Sequence, residues 1–235
     1  MNCYLYAIAR DLPAAWRPPE TGVSGRPVAC RAFGDLVLLS GLLDAVPGPN
    51  PRTLSQHHEV VASVMDADAV VPFRYGTAVA ASQLDGWMAG RRHLVEAALD
   101  HVRDCVEMSV KLLRLDCSLE QQMSWRSNGR RTCAEPPGEG ELRVLAEHLA
   151  DRAEIEEWDY RPSGRGGNVV AAVNFLVPRG ELSAFLARIA PIASRAVGIA
   201  VVPTGPWPAY SFVPTFERPS AAAATSVGSA KRRAG

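Results

Sequence analysis

A chain of 235 residues with 25 basic and 25 acidic side chains has balanced charge, and 47% of its residues are hydrophobic. There is room for one large domain or two small ones with a sizeable core. Balanced charge argues against a nucleic-acid partner, which needs a basic face, and no apolar run approaches the roughly 20 residues that cross a bilayer.

The N-terminus lacks a basic stretch followed by an apolar one, so a secretory signal is not expected. The five cysteines, Cys3, Cys30, Cys105, Cys117 and Cys133, include no C-x-x-C pair. That pattern suits reduced thiols in a cytoplasm better than a disulfide framework or a zinc site.

Asn2 to Ala9 reads as a first strand, with Tyr4, Tyr6 and Ile8 on one face and Cys3, Leu5 and Ala7 on the other. A Pro-rich loop follows. Val28–Phe33 and Leu36–Ser40 are two more strands, joined by Gly34-Asp35 in a tight hairpin. Thr53-Leu54-Ser55-Gln56 has the form of a capping box and opens a helix with Leu54, His57, Val61, Val64 and Met65 on one face. His57 on that stripe is expected to be a core or capping histidine bonded to backbone, because the H-E-x-x-H spacing of a metal site is absent.

Ala69 to Tyr75 is an apolar strand in which Pro72 marks an edge, a bulge or a start. Arg74 in this run is expected to pair with a carboxylate, Glu107 being the candidate, and otherwise to contact a partner. Ser82 to Asp104 is a long helix. Cys105 to Leu115 is the clearest strand, with Val106, Met108, Val110 and Leu112 buried and Glu107, Ser109 and Lys111 wet.

Asp116 to Glu141 breaks the pattern and reads as a linker. A helix around Leu142–Leu149, a strand Ile155–Arg161, a central strand Val169–Val177, a helix around Leu182–Ile189 and a strand Val197–Val202 follow. The expected fold is α+β: two ferredoxin-like domains with mostly antiparallel sheets and helices on one face. Their limits are 1–116 and 142–214, with a polar linker over 117–141. The tail over 215–235, Ala/Ser/Gly-rich from Pro219, is expected to be disordered.

The last strand runs into Thr204-Gly205-Pro206-Trp207-Pro208-Ala209-Tyr210-Ser211-Phe212-Val213. Pro206 and Pro208 stiffen this stretch. Its aromatics are candidates either for a plug that closes a core or for a partner-binding surface. If it is extended, Tyr210 and Phe212 point one way and Trp207 the other. No nucleophile elbow, Walker loop, G-x-G-x-x-G or His/Cys cluster is present, so no catalytic residue, cofactor or metal site is expected.

The strings Tyr4-Leu5-Tyr6-Ala7-Ile8, Val70-Val71-Pro72-Phe73-Arg74-Tyr75-Gly76-Thr77 and Val106-Glu107-Met108-Ser109-Val110-Lys111, with His57, resemble the N-terminal half of the gas vesicle GvpF/GvpL family. Asn174-Phe175-Leu176-Val177 and the Gly-Pro-Trp-Pro-x-Tyr-x-Phe string resemble its C-terminal half, with Ala209 where a third proline is common. The resemblance implies a cytoplasmic or vesicle-associated assembly factor without catalysis. Its implied partner is the small hydrophobic shell-forming protein, together with other gas vesicle accessory proteins. Such a partner needs an aromatic or strand-edge acceptor, and Trp207, Tyr210, Phe212 and Arg74 are the candidate contacts. A ferredoxin-like ligand-sensing module is the alternative.

Overall fold

The computed structural model describes residues 1–115, 138–163, 168–193 and 198–216. Two antiparallel sheets organise it. The first is built around β1 (Asn2–Arg10), whose residues from Cys3 to Ala9 are buried. With β2 (Ala29–Phe33), β3 (Leu36–Leu43) and β4 (Ala69–Pro72) it gives the order β2-β3-β1-β4, and β5 (Ala78–Ala80) pairs the start of β1. Pro72 ends an edge strand, where its missing donor costs no ladder bond.

Strict alternation along β1 fails at one point. The register with β3 shifts between Leu5 and Ala7, a bulge that inserts one residue and reverses the parity beyond it. Tyr4, Tyr6, Ala7 and Ala9 therefore share one core, and Cys3, Leu5 and Ile8 the other. Ile8 lies on the face opposite to the one its spacing suggests.

Helix α1 (Pro51–Ala62) covers the tyrosine face. Its cap sits three residues earlier than Thr53: Asn50 Oδ1 accepts from the Thr53 amide at 3.0 Å, and Thr53 Oγ1 accepts from the Asn50 amide at 3.2 Å. Pro51 fills the first helical position, where no donor is needed. The Pro-rich loop packs beside α1. Tyr6 Oη accepts from the Val23 amide at 2.8 Å, and Trp16 Nε1 donates to the Ser63 carbonyl at 2.6 Å. The loop thus occupies the place of a first crossover helix. Helix α2 (Leu84–His101) covers the opposite face through Leu84, Met88, Val95, Ala98 and Leu99, so helices on one face alone describe only the second sheet.

The second sheet comprises β6 (Cys105–Arg114), β7 (Trp158–Pro162), β8 (Val169–Pro178) and β9 (Ile199–Trp207), in the order β7-β8-β6-β9. Helices α3 (Glu139–Ala153) and α4 (Leu182–Ala193) pack on one face, over Met108, Val110, Leu112, Val173, Phe175 and Val177. This βαββαβ order is the ferredoxin-like plan.

Cys105–Arg114 is the first strand of that second sheet. The expected boundary near 116 placed it with the first. Its alternation looks the same whichever sheet it joins; only pairing with Val169–Pro178 and Ile199–Trp207 assigns it. The expected linker lies outside the described residues up to 137, and Glu139–Glu141 already belong to α3. The expected tail also lies outside them, except Thr215 and Phe216, and Phe216 is buried in the first core.

Leu112 is fully buried in β6. Leu112→Ala is expected to cost about 2–5 kcal/mol in denaturant unfolding, with amide protection lost first in β7–β9. Loss confined to β1–β4 would contradict the assignment of β6.

Candidate functional site

The second sheet's other face carries Glu107, Ser109, Asn174 and Leu176. The chain beyond β9 crosses it. Glu107 was expected to be wet, yet only 7% of it is exposed. A buried carboxylate needs donors, and Ser211 supplies two: its amide to Oε2 at 2.7 Å and its hydroxyl to Oε1 at 2.8 Å. Asn174 Nδ2 donates to Ser211 Oγ at 3.0 Å, and Ser109 Oγ donates to Asn174 Oδ1 at 2.7 Å. Burial pushes the Glu107 carboxyl above the usual carboxylate range, and the Ser211 bonds oppose that push. Asn174 inside an apolar central strand was the sequence signal for this network, because a buried amide demands partners.

A bulge in the pairing of β9 with β6 opens opposite Met108. Gly205 sits there at φ +126°, and a Cβ would approach the Glu107 carbonyl to 2.9 Å. A side chain is excluded by both the backbone angle and the space. The strand then ends at Trp207, and residues 210–212 form a turn with the Phe212 amide donating to the Ala209 carbonyl at 3.1 Å.

That turn overturns the expected shared direction of Tyr210 and Phe212. Tyr210 packs into the first unit, on the tyrosine side of β1. Phe212 packs with Ala209 on Val102 and Leu176. Ala209 is buried there, a space fit for a small side chain. Trp207 remains 37% exposed, with its ring 5.2 Å from His58 and its Nε1 donating to Thr204 Oγ1 at 3.3 Å. Phe216 ends the segment against Phe73 and Trp87, at ring distances of 5.5 and 6.3 Å.

Arg74 is exposed and makes no ion pair among the described residues, so the expected pairing with Glu107 is corrected. The chain turns at Arg74, whose carbonyl accepts from the Thr77 amide and hydroxyl, and the side chain swings outward. Among the arginines that carboxylates do hold, Arg10 is the one most removed from solvent, reaching Asp100 at 2.6 Å and Asp35 at 3.4 Å. A shallow cleft separates Phe73, Arg74 and Thr77 from Tyr210, Val213 and Phe216. Its volume is about 10 Å³, room for one water. The structure thus gathers Arg74 and Tyr210 around one cleft, leaves Trp207 half-exposed beside α1, and lays Phe212, partly buried, against Val102 and Leu176.

His57 sits beneath Tyr210. Its Nδ1 lies 2.9 Å from Tyr4 Oη, and its Nε2 lies 3.0 Å from the Phe73 carbonyl and 3.5 Å from Tyr210 Oη. A carbonyl only accepts, so Nε2 carries the proton. Tyr4 Oη then donates to Nδ1 while accepting from the Gly76 amide at 3.2 Å. The neutral ring is fully bonded, as expected of a core histidine. Burial lowers its pKa from 6.5 to about 4. Among the described residues no His/Cys/Asp/Glu cluster is placed to hold a metal.

The unfolded chain takes up a proton on His57 below about pH 6.5 and the folded chain only near 4. Stability from this residue is therefore complete above that window and falls across it as pH drops, by about 3 kcal/mol at most. Glu107 acts in the opposite sense, since its raised pKa favours the fold on acidification. Comparing denaturant midpoints at pH 7 and 4.5 for the parent and His57→Gln isolates the histidine. The parent should lose more stability on acidification than the variant; equal losses would contradict the buried neutral ring.

The sequence profile of the family described as "Gas vesicle synthesis protein GvpL/GvpF" matches residues 2–152 and 139–214. Gas vesicle protein F of Streptomyces sp. (strain CB03234) is 25% identical over 240 residues, spanning 91% of this chain and all of that protein. The crystal structure of the gas vesicle protein GvpF from Anabaena sp. PCC7120 superposes with a TM-score of 0.67 at 16% identity, over 90% of this chain and 95% of that one. GvpF from Microcystis aeruginosa gives 0.66 at 13%, over 90% and 98%. These two likenesses speak to fold. With the profile matched across both sheets and the segment that joins them, this chain belongs to the gas vesicle GvpL/GvpF family.

Proposed function

We propose that this chain is a gas vesicle assembly factor, working without catalysis in the cytoplasm and at the vesicle. It binds the small hydrophobic shell-forming protein, limits its aggregation and helps nucleate the vesicle. Family membership supports the setting. At the level of residues the reading is carried by Trp207, an indole held half-exposed in a fixed pose by His58 and Thr204. A rigid aromatic offers apolar contact area at little entropic cost. Arg74, free of ion pairs among the described residues and directed to solvent, is the second contact. Tyr210 and Phe212 support that surface from beneath, because both are packed against cores.

Truncating an anchor of this kind costs about 2 kcal/mol, or about 30-fold in affinity. Trp207→Ala should weaken capture of the shell-forming protein to that extent with little change in melting temperature. Phe212→Ala and Tyr210→Ala should lower stability instead. Undiminished capture by Trp207→Ala would remove the indole from the site. A saturable rise in melting temperature with one amino acid, nucleotide or metal would favour the ligand-sensing alternative.

A further inference from the structure

The sheets end in strands of unequal protection. Edge strand β4 carries Pro72, β7 carries Pro162, and β9 carries Pro203 and Pro206; β5 is only three residues long. Prolines and short length are the usual defences of a sheet edge against pairing with another chain. Strand β2 has neither. It runs Ala29-Cys30-Arg31-Ala32-Phe33, and its first four residues are exposed.

The hairpin sets which of its backbone groups are unpaired. Phe33 pairs with Leu36 across the two-residue turn Gly34-Asp35, with Gly34 at φ +70° and Asp35 on the ordinary side of the map. Such a turn is closed by a hydrogen-bonded pair. By alternation, Ala29, Arg31 and Phe33 bond to β3, while Cys30 and Ala32 direct N–H and C=O outward. Among the described residues nothing pairs with these outward groups. The side chains of Cys30 and Ala32 themselves are small and uncharged, with Arg31 between them.

We infer that the outer edge of β2 accepts an extended apolar strand of the shell-forming protein by main-chain pairing. This rests on the capture reading above and adds a second contact to Trp207. A second copy of this chain is the poorer occupant. Full antiparallel overlap of two β2 strands sets Arg31 opposite Arg31, and like charges directly across a pair destabilise it. Arg31 is held in place there, 2.6 Å from Asp85 and over the Phe33 ring. An uncharged strand meets no such clash, and small side chains at Cys30 and Ala32 leave room for large apolar neighbours.

The test uses full-length Ala32→Pro and Cys30→Pro, which remove an outward donor, and Arg31→Pro, which removes an inward one. Capture of the shell-forming protein should fall about tenfold or more for the first two, with melting temperature near that of the parent. Arg31→Pro should melt earlier. If an outward proline also impairs folding, Cys30→Lys with Ala32→Lys replaces it, since edge lysines block strand addition while keeping the ladder. Full capture by folded Ala32→Pro or by the double lysine variant overturns the inference and leaves the capture reading standing. A parent chain that captures nothing overturns both. Dimerisation of the parent that is abolished by Ala32→Pro assigns the edge to a second copy and also overturns it.

Discussion

A carboxylate removed from water on the open face of the second sheet fixes how this chain closes. Glu107 needs donors in place of water, and Ser211, 104 residues later, provides both of them. The alternative, an unpaired buried charge, costs several kcal/mol. Satisfying it sets the path of residues 208–216. Ala209 and Phe212 come down on Leu176 and Val102, Tyr210 is directed into the first unit, and Phe216 reaches the pocket between Phe73 and Trp87. One polar network therefore positions apolar contacts in both units.

The receiving side is equally constrained. His57 joins β1 through Tyr4, the end of β4 through the Phe73 carbonyl, and the C-terminal segment through Tyr210. Tyr6 and Tyr75 pack their rings on it at 5.6 and 5.7 Å. A charged imidazole has no acceptor to spare in this arrangement, so the ring that best fits the cage is the neutral one. Contacts between the units continue outside the segment: Arg179 donates to the Ala67 carbonyl, and His101 Nε2 lies 2.9 Å from a Glu157 carboxylate oxygen. The aromatic interior is committed to holding the units together, and the partner contacts we propose, Trp207, Arg74 and the β2 edge, lie outside it.

Most elements were legible from local pattern. The apolar periodicities marked both long helices of the first half and every strand except β5, whose three residues are too few to show a pattern, and the family strings marked both sheets. Three features escaped because they depend on pairing at long range. Alternation in Cys105–Arg114 identifies a strand but not its sheet. Alternation through β1 cannot reveal the bulge after Leu5, which moves Ile8 to the other core. Extended geometry after Trp207, inferred from the flanking prolines, gives way to a turn because Ser211 must meet Glu107. Arg74 shows the same limit: its apolar neighbours suggested a buried pair, and a turn closed by Thr77 takes it to the surface. At the site, Trp207 and Tyr210 could be singled out by residue type alone. Ser211 could not, since a serine between two aromatics gives no sign that a carboxylate awaits it.

Native-state hydrogen exchange tests most directly whether the Glu107–Ser211 pair holds the units together. The Ser211 amide should be protected in the parent chain. In Glu107→Ala it should lose that protection, and the Phe73 amide, which bonds Tyr6 in the first unit at 2.8 Å, should lose part of its own while Val173 in the second core keeps its protection. An unprotected Ser211 amide in the parent, or a Phe73 amide that exchanges identically in both proteins, would contradict the account.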